Sequence, residues 1–152
     1  MDDSYGSKTA REIIQKYDTN DVYELCRLLQ IYVSEAPLRQ LNGVIKHDSD
    51  GTFIVVNSML PSFIKRFVIA HELGHFVLHP HDIGFFWILH KTNFRMERLE
   101  RDADCFAIKM LGLSEEFYAQ IKDYVRIKEG DECEDGPCEM NLRCGANGFY
   151  SD

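Results

Sequence analysis

The sequence predicts an α+β fold: one domain with a small antiparallel sheet of about three strands, packed on a central helix and further helices. Three observations carry that expectation. The chain has 152 residues, 45 % apolar and 28 % charged, which suits one globular domain. Short β-rich runs come before residue 60 and helical patterns follow it. The stretch after Pro61 is apolar on nearly every side, and such a helix belongs in the middle of a domain. A domain of this size buries roughly 68–70 % of its unfolded surface, enough for a core without disulfide staples.

Residues 8–17 read as a short leading helix around Ile13 and Ile14. Asp21 followed by Glu24 has the form of a capping box and opens a helix through Leu29. Ile31-Tyr32-Val33 reads as a strand. Val44-Ile45-Lys46 and Thr52-Phe53-Ile54-Val55-Val56 flank Ser49-Asp50-Gly51, a hairpin pattern. Pro61 suits the first turn of the central helix, which runs to about His79 before Pro80 stops it. An irregular stretch covers 80–94, and a second long helix covers about 95–111. A third starts near Ser114 with Glu115 and Glu116 in its first turn, and it carries Phe117, Ile121, Tyr124 and Val125. The expected organisation is a leading extension (1–20), the domain proper (21–128) and a loose acidic tail (129–152).

Lys and Arg number 17 against 25 Asp and Glu, a net charge of −8, which argues against broad contact with a phosphate backbone. The richest apolar run, Phe85-Phe86-Trp87-Ile88-Leu89, is far too short to span a membrane. Met1-Asp2-Asp3-Ser4 lacks the basic flank of a signal peptide, so a cytoplasmic protein is the expectation. Five cysteines make a poor disulfide framework. Cys26 and Cys105 fall in apolar-periodic segments, where a thiol acts as a small hydrophobe. Cys133, Cys138 and Cys144 lack the paired C-x2-C knuckles of a zinc ribbon, and no role is assigned to them.

The central helix contains His71-Glu72-Leu73-Gly74-His75, an H-E-x-x-H sequence. The i, i+4 spacing puts both imidazoles on one helical face, about 40° apart, so both can grip one ion. Glu72 lies roughly 60–100° further round, beside the ion, where a general base for an activated water is needed. Zinc suits nitrogen ligands with an open fourth position and lowers the pKa of a bound water to about 7. From the chain's own His and Glu frequencies the pattern is expected about 0.02 times by chance. Burying three ionisable groups in an otherwise apolar helix without a purpose would be expensive.

A third ligand comes from the second long helix. On a wheel starting at Met96, Glu100 falls at about 40°, between Ala107 at about 20° and Leu111 at about 60°. Glu100 therefore occupies a slot on the apolar face, where a carboxylate wants a cation. Arg98, Arg101, Asp102 and Lys109 lie on the far side. Asp104, at about 80°, sits at the edge of the face and could accept the spare N–H of a ligand histidine. Glu97 is a weaker ligand candidate. The rival is His81, ten residues after His71 as in H-E-x-x-H-x-x-G-x-x-H, but Leu78 stands where that pattern needs glycine. His79 reads as a helix-end residue, and His47 and His90 read as surface or loop histidines.

Two segments, Arg66-Phe67-Val68-Ile69-Ala70-His71-Glu72-Leu73-Gly74-His75 and Glu100-Arg101-Asp102-Ala103-Asp104-Cys105-Phe106-Ala107, resemble the ImmA/IrrE metallopeptidases. The second is similar to that family's E-x-x-A-[ND]-x-F-A segment, and the resemblance covers roughly residues 20–112. It implies a zincin-like domain and a gluzincin-like zinc peptidase. His71, His75 and Glu100 would be the ligands and Glu72 the base. It also implies the substrate: a separate helix-turn-helix repressor, cleaved at a specific site to relieve repression of a phage, mobile element or stress response. Met110-Leu111-Gly112-Leu113 departs from the family's Leu-Leu-Met-Pro. The competing reading is a non-proteolytic anti-repressor, or a binding module with a structural zinc. It predicts an intact complex where a protease leaves two fragments. For the mechanism, an extended substrate pairing along the Val44 or the Phe53 strand is expected. Tyr23, Tyr32 and the loop histidines are the candidates for stabilising the oxyanion.

Overall fold

A computed structural model describes residues 4–39, 41–81 and 94–130. Among them are five helices, α1 (Tyr5–Tyr17), α2 (Val22–Leu28), α3 (Ser62–Leu78), α4 (Phe94–Leu111) and α5 (Glu115–Gly130). Three strands, β1 (Ile31–Ala36), β2 (Gly43–Asp48) and β3 (Gly51–Asn57), form one sheet. His90, the Phe85–Leu89 run and Cys133, Cys138 and Cys144 lie outside the described residues.

The caps follow from local chemistry. The Asp21 carboxylate accepts the Tyr23 and Glu24 N–H groups, as a cap should. Glu24, however, takes the Thr19 hydroxyl at 2.7 Å, and Thr19 Oγ1 in turn accepts the Asp21 N–H. The box is thus closed through a threonine rather than directly. Pro61 caps α3, and its fixed φ, here −59°, suits a helix entrance.

The sheet is mixed, and this differs from the expected antiparallel arrangement. β2 and β3 form the antiparallel hairpin, with Asp48 opposite Gly51, whose φ of 131° is readily reached by glycine. β1 pairs with β3 in parallel, Ile31 opposite Thr52 through Ala36 opposite Asn57, so the strand order is β1-β3-β2. Neighbouring strands lie about 4.8 Å apart, so the 37–42 link needs to cross only about 10 Å to leave a place for β3. Asn57, 1 % exposed, secures that link. Its Nδ2 donates to the Leu38 and Leu41 carbonyls, and its Oδ1 accepts the Met59 N–H. Along β3 the pleat buries Thr52, Ile54 and Val56 in alternation, and Asn57 follows them inward at the end of the strand.

Helix α3 lies between the sheet and α4 and is buried at Ile64, Phe67, Val68, Ile69, Ala70 and Leu73. Phe63, placed on the all-round apolar surface by periodicity, is 48 % exposed and meets Phe117 instead. The α3–α4 seam closes at Gly74, where an added Cβ would lie 3.2 Å from both Ala103 Cα and Phe106 Cδ1. On the outer side of α4, α1 packs through Gly6 against the Asp102 carbonyl and delivers Ala10 to the same core. Asp102 is therefore half-covered rather than a solvent-facing charge.

Candidate metal centre

Two helices built for burial meet at the Gly74 seam and bring three polar side chains to one point. His71 and His75 stand one turn apart on α3, and Glu100 faces them from α4. His71 Nε2 and His75 Nε2 are 3.0 Å apart. The Glu100 carboxylate bridges them, Oε2 at 3.0 Å from His71 Nε2 and Oε1 at 3.2 Å from His75 Nε2. An ion with ligand bonds of about 2.0–2.1 Å at tetrahedral corners holds those corners about 3.3 Å apart. The donor atoms thus already stand close to the spacing a tetrahedral ion requires. Among the described residues these three form the group able to hold a metal ion. His81 is exposed and not part of it, and Glu97 faces solvent.

The electrostatics point the same way. Burial would raise the Glu100 carboxyl, but the charge of His71 and hydrogen bonds from both imidazoles hold it well below the usual carboxylate range. Burial alone would push His71 down, yet the Glu100 charge and the Asp104 hydrogen bond prevail and keep it well above its ordinary value. His75, 2 % exposed, is pushed down to about 4, burial outweighing its hydrogen bond to Glu100. Glu100 and Asp104 thus both favour their ionised forms beside the imidazoles, a charge arrangement that suits a cation at this point.

Behind His71, Nδ1 donates to Asp104 Oδ1 at 2.8 Å, so the edge-of-face aspartate lies where the helical wheel put it. Burial would raise Asp104, but its hydrogen bonds to His71 first, and Tyr118 after it, hold it below its ordinary value. Tyr118, whose hydroxyl donates to Asp104 Oδ2 at 2.6 Å, escaped sequence reasoning. Its signal was a helical stripe: Tyr118, Ile121 and Val125 follow i, i+3, i+7 and pack on the core, whereas Phe117 is 38 % exposed.

Glu72 is half-buried on the face of α3 next to the histidines and close to β2. A Cβ added to Gly43 would lie 3.6 Å from Glu72 Cγ and far too close to Val68 Cγ1. β2 is an edge strand, whereas β3 is paired on both sides. Of the two strands considered for holding an extended substrate, β3 is therefore ruled out. Tyr32 points to the outer sheet face, 64 % exposed and stacked on Phe53, and Tyr23 is exposed on α2. Neither belongs to the metal centre. His47 lies on β2, its Nδ1 2.7 Å from Thr52 Oγ1 and its ring beside Phe76. His79 does stand at the end of α3, as its C-cap, and is buried there, 3.6 Å from the Asp102 carboxylate.

Comparison with known proteins gives the family. The family model Peptidase_M78, described as the IrrE N-terminal-like domain, matches residues 26–133. The metallopeptidase ImmA of Bacillus subtilis (strain 168) is 32 % identical over 118 residues, covering 76 % of this chain and 68 % of that protein. The uncharacterized immunity region protein 2 of Bacillus phage phi105 is 35 % identical over 102 residues, 66 % of this chain and 64 % of the phage protein. The match thus spans about two thirds of each relative's length. Both sequence segments and the convergent His-His-Glu group fall inside the matched region, and the chain belongs to the ImmA/IrrE family of metallopeptidases.

Proposed function

We propose that the chain is a zinc-dependent, site-specific endopeptidase that cleaves a separate helix-turn-helix repressor and so relieves repression. The observation that carries the reading is the meeting of His71 Nε2, His75 Nε2 and the Glu100 carboxylate at 3.0–3.2 Å, with Glu72 on the adjoining helical face. The nitrogen-rich donor set and its tetrahedral spacing favour zinc. The repressor as substrate is supported by family membership and by a phage relative whose name refers to an immunity region.

Zinc bound there would supply Lewis acidity to a water and to the scissile carbonyl. Glu72 takes the proton of that water on its carboxylate as the water oxygen bonds to the carbonyl carbon. It then delivers the proton to the amine nitrogen as the C–N bond breaks. Asp104 holds His71 Nδ1 and so keeps Nε2 turned to His75 and Glu100. The edge of β2 that pairs with no strand among the described residues lies next to Glu72 and would pair with the substrate main chain and hold it extended.

Elemental analysis of purified wild type and Glu100→Ala tests the centre. About one zinc per chain in the wild type and clear loss in the variant are expected. Zinc unchanged in Glu100→Ala would refute the ligand set. Incubation with the repressor should give two fragments, and an intact complex would mean a binding protein instead.

A further inference from the structure

Tyr118 belongs to neither sequence segment, yet it reaches the metal centre by two routes. Its hydroxyl donates to Asp104 Oδ2 at 2.6 Å while Asp104 Oδ1 takes the His71 Nδ1–H at 2.8 Å. Donors from two different helices thus grip the two oxygens of one carboxylate on a third. The terminal torsion of an aspartate is a broad, two-fold rotor, and occupying both oxygens sets its plane. The 2.6 Å separation is that of a hydroxyl donating to an ionised carboxylate. The ring itself is held by packing. Its centroid lies 6.1 Å from that of Phe67, one turn before His71, and Phe67 in turn stands 6.3 Å from the His71 ring. Lys122 Nζ lies 5.6 Å from the Tyr118 centroid.

We propose that Tyr118 is a positioning residue of the metal centre, acting through Asp104 to hold the His71 ring with Nδ1 towards α4 and Nε2 towards His75 and Glu100. A half-turn of that imidazole would place Cδ2 where Nδ1 stands and Cε1 where Nε2 stands, presenting carbon to the ion. The Asp104 carboxylate opposes the half-turn because only a nitrogen can donate to it. Tyr118 keeps that carboxylate aimed. Docking of α5 is thereby part of the metal site, not merely a cover for the core. The inference rests on the reading of His71, His75 and Glu100 as ligands.

The test uses the full chain stripped of metal, with Co(II) as the probe. Affinity is read by competition with a chromophoric chelator, and the bound ion by its visible absorption. Metal-free melting temperatures are recorded in parallel. Tyr118→Phe keeps the ring and removes only the hydroxyl. It should weaken Co(II) binding about ten-fold, alter the Co(II) spectrum and leave the metal-free melting temperature near that of the wild type. Asp104→Asn should weaken binding as well, and adding Tyr118→Phe to it should cause no further loss. Unchanged affinity in Tyr118→Phe would overturn the proposal. So would an equal loss in both backgrounds, or a fall in metal-free melting temperature with affinity and spectrum unmoved. If Asp104→Asn does not fold, the single Tyr118→Phe comparison decides. Failure of the wild type to bind Co(II) would overturn the ligand assignment and the proposal with it.

Discussion

Replacing Gly74 by Ala puts one methyl into the seam between α3 and α4. Two effects oppose each other. Alanine is favoured over glycine in a helix by about 0.8–1.0 kcal/mol. The new Cβ, however, would stand 3.2 Å from Ala103 Cα, 3.2 Å from Phe106 Cδ1 and 3.3 Å from the Ala103 carbonyl oxygen. Two of those atoms are backbone, so no rotamer change relieves them, and α4 must yield by a few tenths of an ångström. Overpacking of this kind costs about 1–3 kcal/mol. The net expectation is a loss of about 0–2 kcal/mol, or a fall in melting temperature of up to about 8 °C for a chain of this size. The metal centre should suffer more than the fold. Glu100 lies one turn before Ala103 and moves with α4, whereas His71 and His75 move with α3. A displacement beyond about 0.2 Å exceeds what a ligand distance tolerates, so Co(II) affinity should fall at least about ten-fold. Thermal melts of the metal-free protein and chelator competition measure the two effects separately. A variant with undiminished metal affinity and a melting temperature raised by about 2–4 °C would show helix propensity acting alone, and the close seam would be refuted.

On the proposed function, Glu72→Gln should keep the metal but lose proteolysis by about 10²–10⁴-fold, and full proteolysis in the metal-loaded variant would assign the base elsewhere. Asn57→Ala removes the two hydrogen bonds that hold the β1–β2 link and the one from Met59 N–H, and should cost about 1–3 kcal/mol in urea unfolding; no loss would mean the link is held by other contacts. Burial, and then the charge of Asp21, pushes the Cys26 thiol up to about 12 from an ordinary value of 9.0. Its contribution to stability is therefore full below pH 9 and is lost as pH rises from there towards 12. At pH 8.5 iodoacetamide should leave Cys26 unmodified in the folded chain and alkylate it in guanidinium, which peptide mass mapping reads directly; rapid alkylation of the folded chain would contradict the burial.

His71, Glu72 and His75 were legible because their relationship is local: a 3.6-residue period alone brings positions 71 and 75 to one face. Glu100 and Asp104 were legible for a related reason, since a carboxylate among Leu99, Ala103 and Ala107 declares which way it points. The same periodicity was misleading at Phe63 and Phe117, because it gives a helix's apolar stripe but not the rotation at which neighbours cover it. That rotation left the two rings partly exposed and turned Tyr118 inward instead. Strand order was beyond local reasoning too. Whether β1 lies beside β2 or one place further away depends on backbone hydrogen bonds between distant segments and on Asn57 securing a loop. The residue types and spacing determined which chemistry this chain can host. Only the packing of α4 and α5 on α3 decided how the groups stand, because distances between helices are set by side-chain volume at seams such as Gly74 and Ala103, and no period along the chain encodes them.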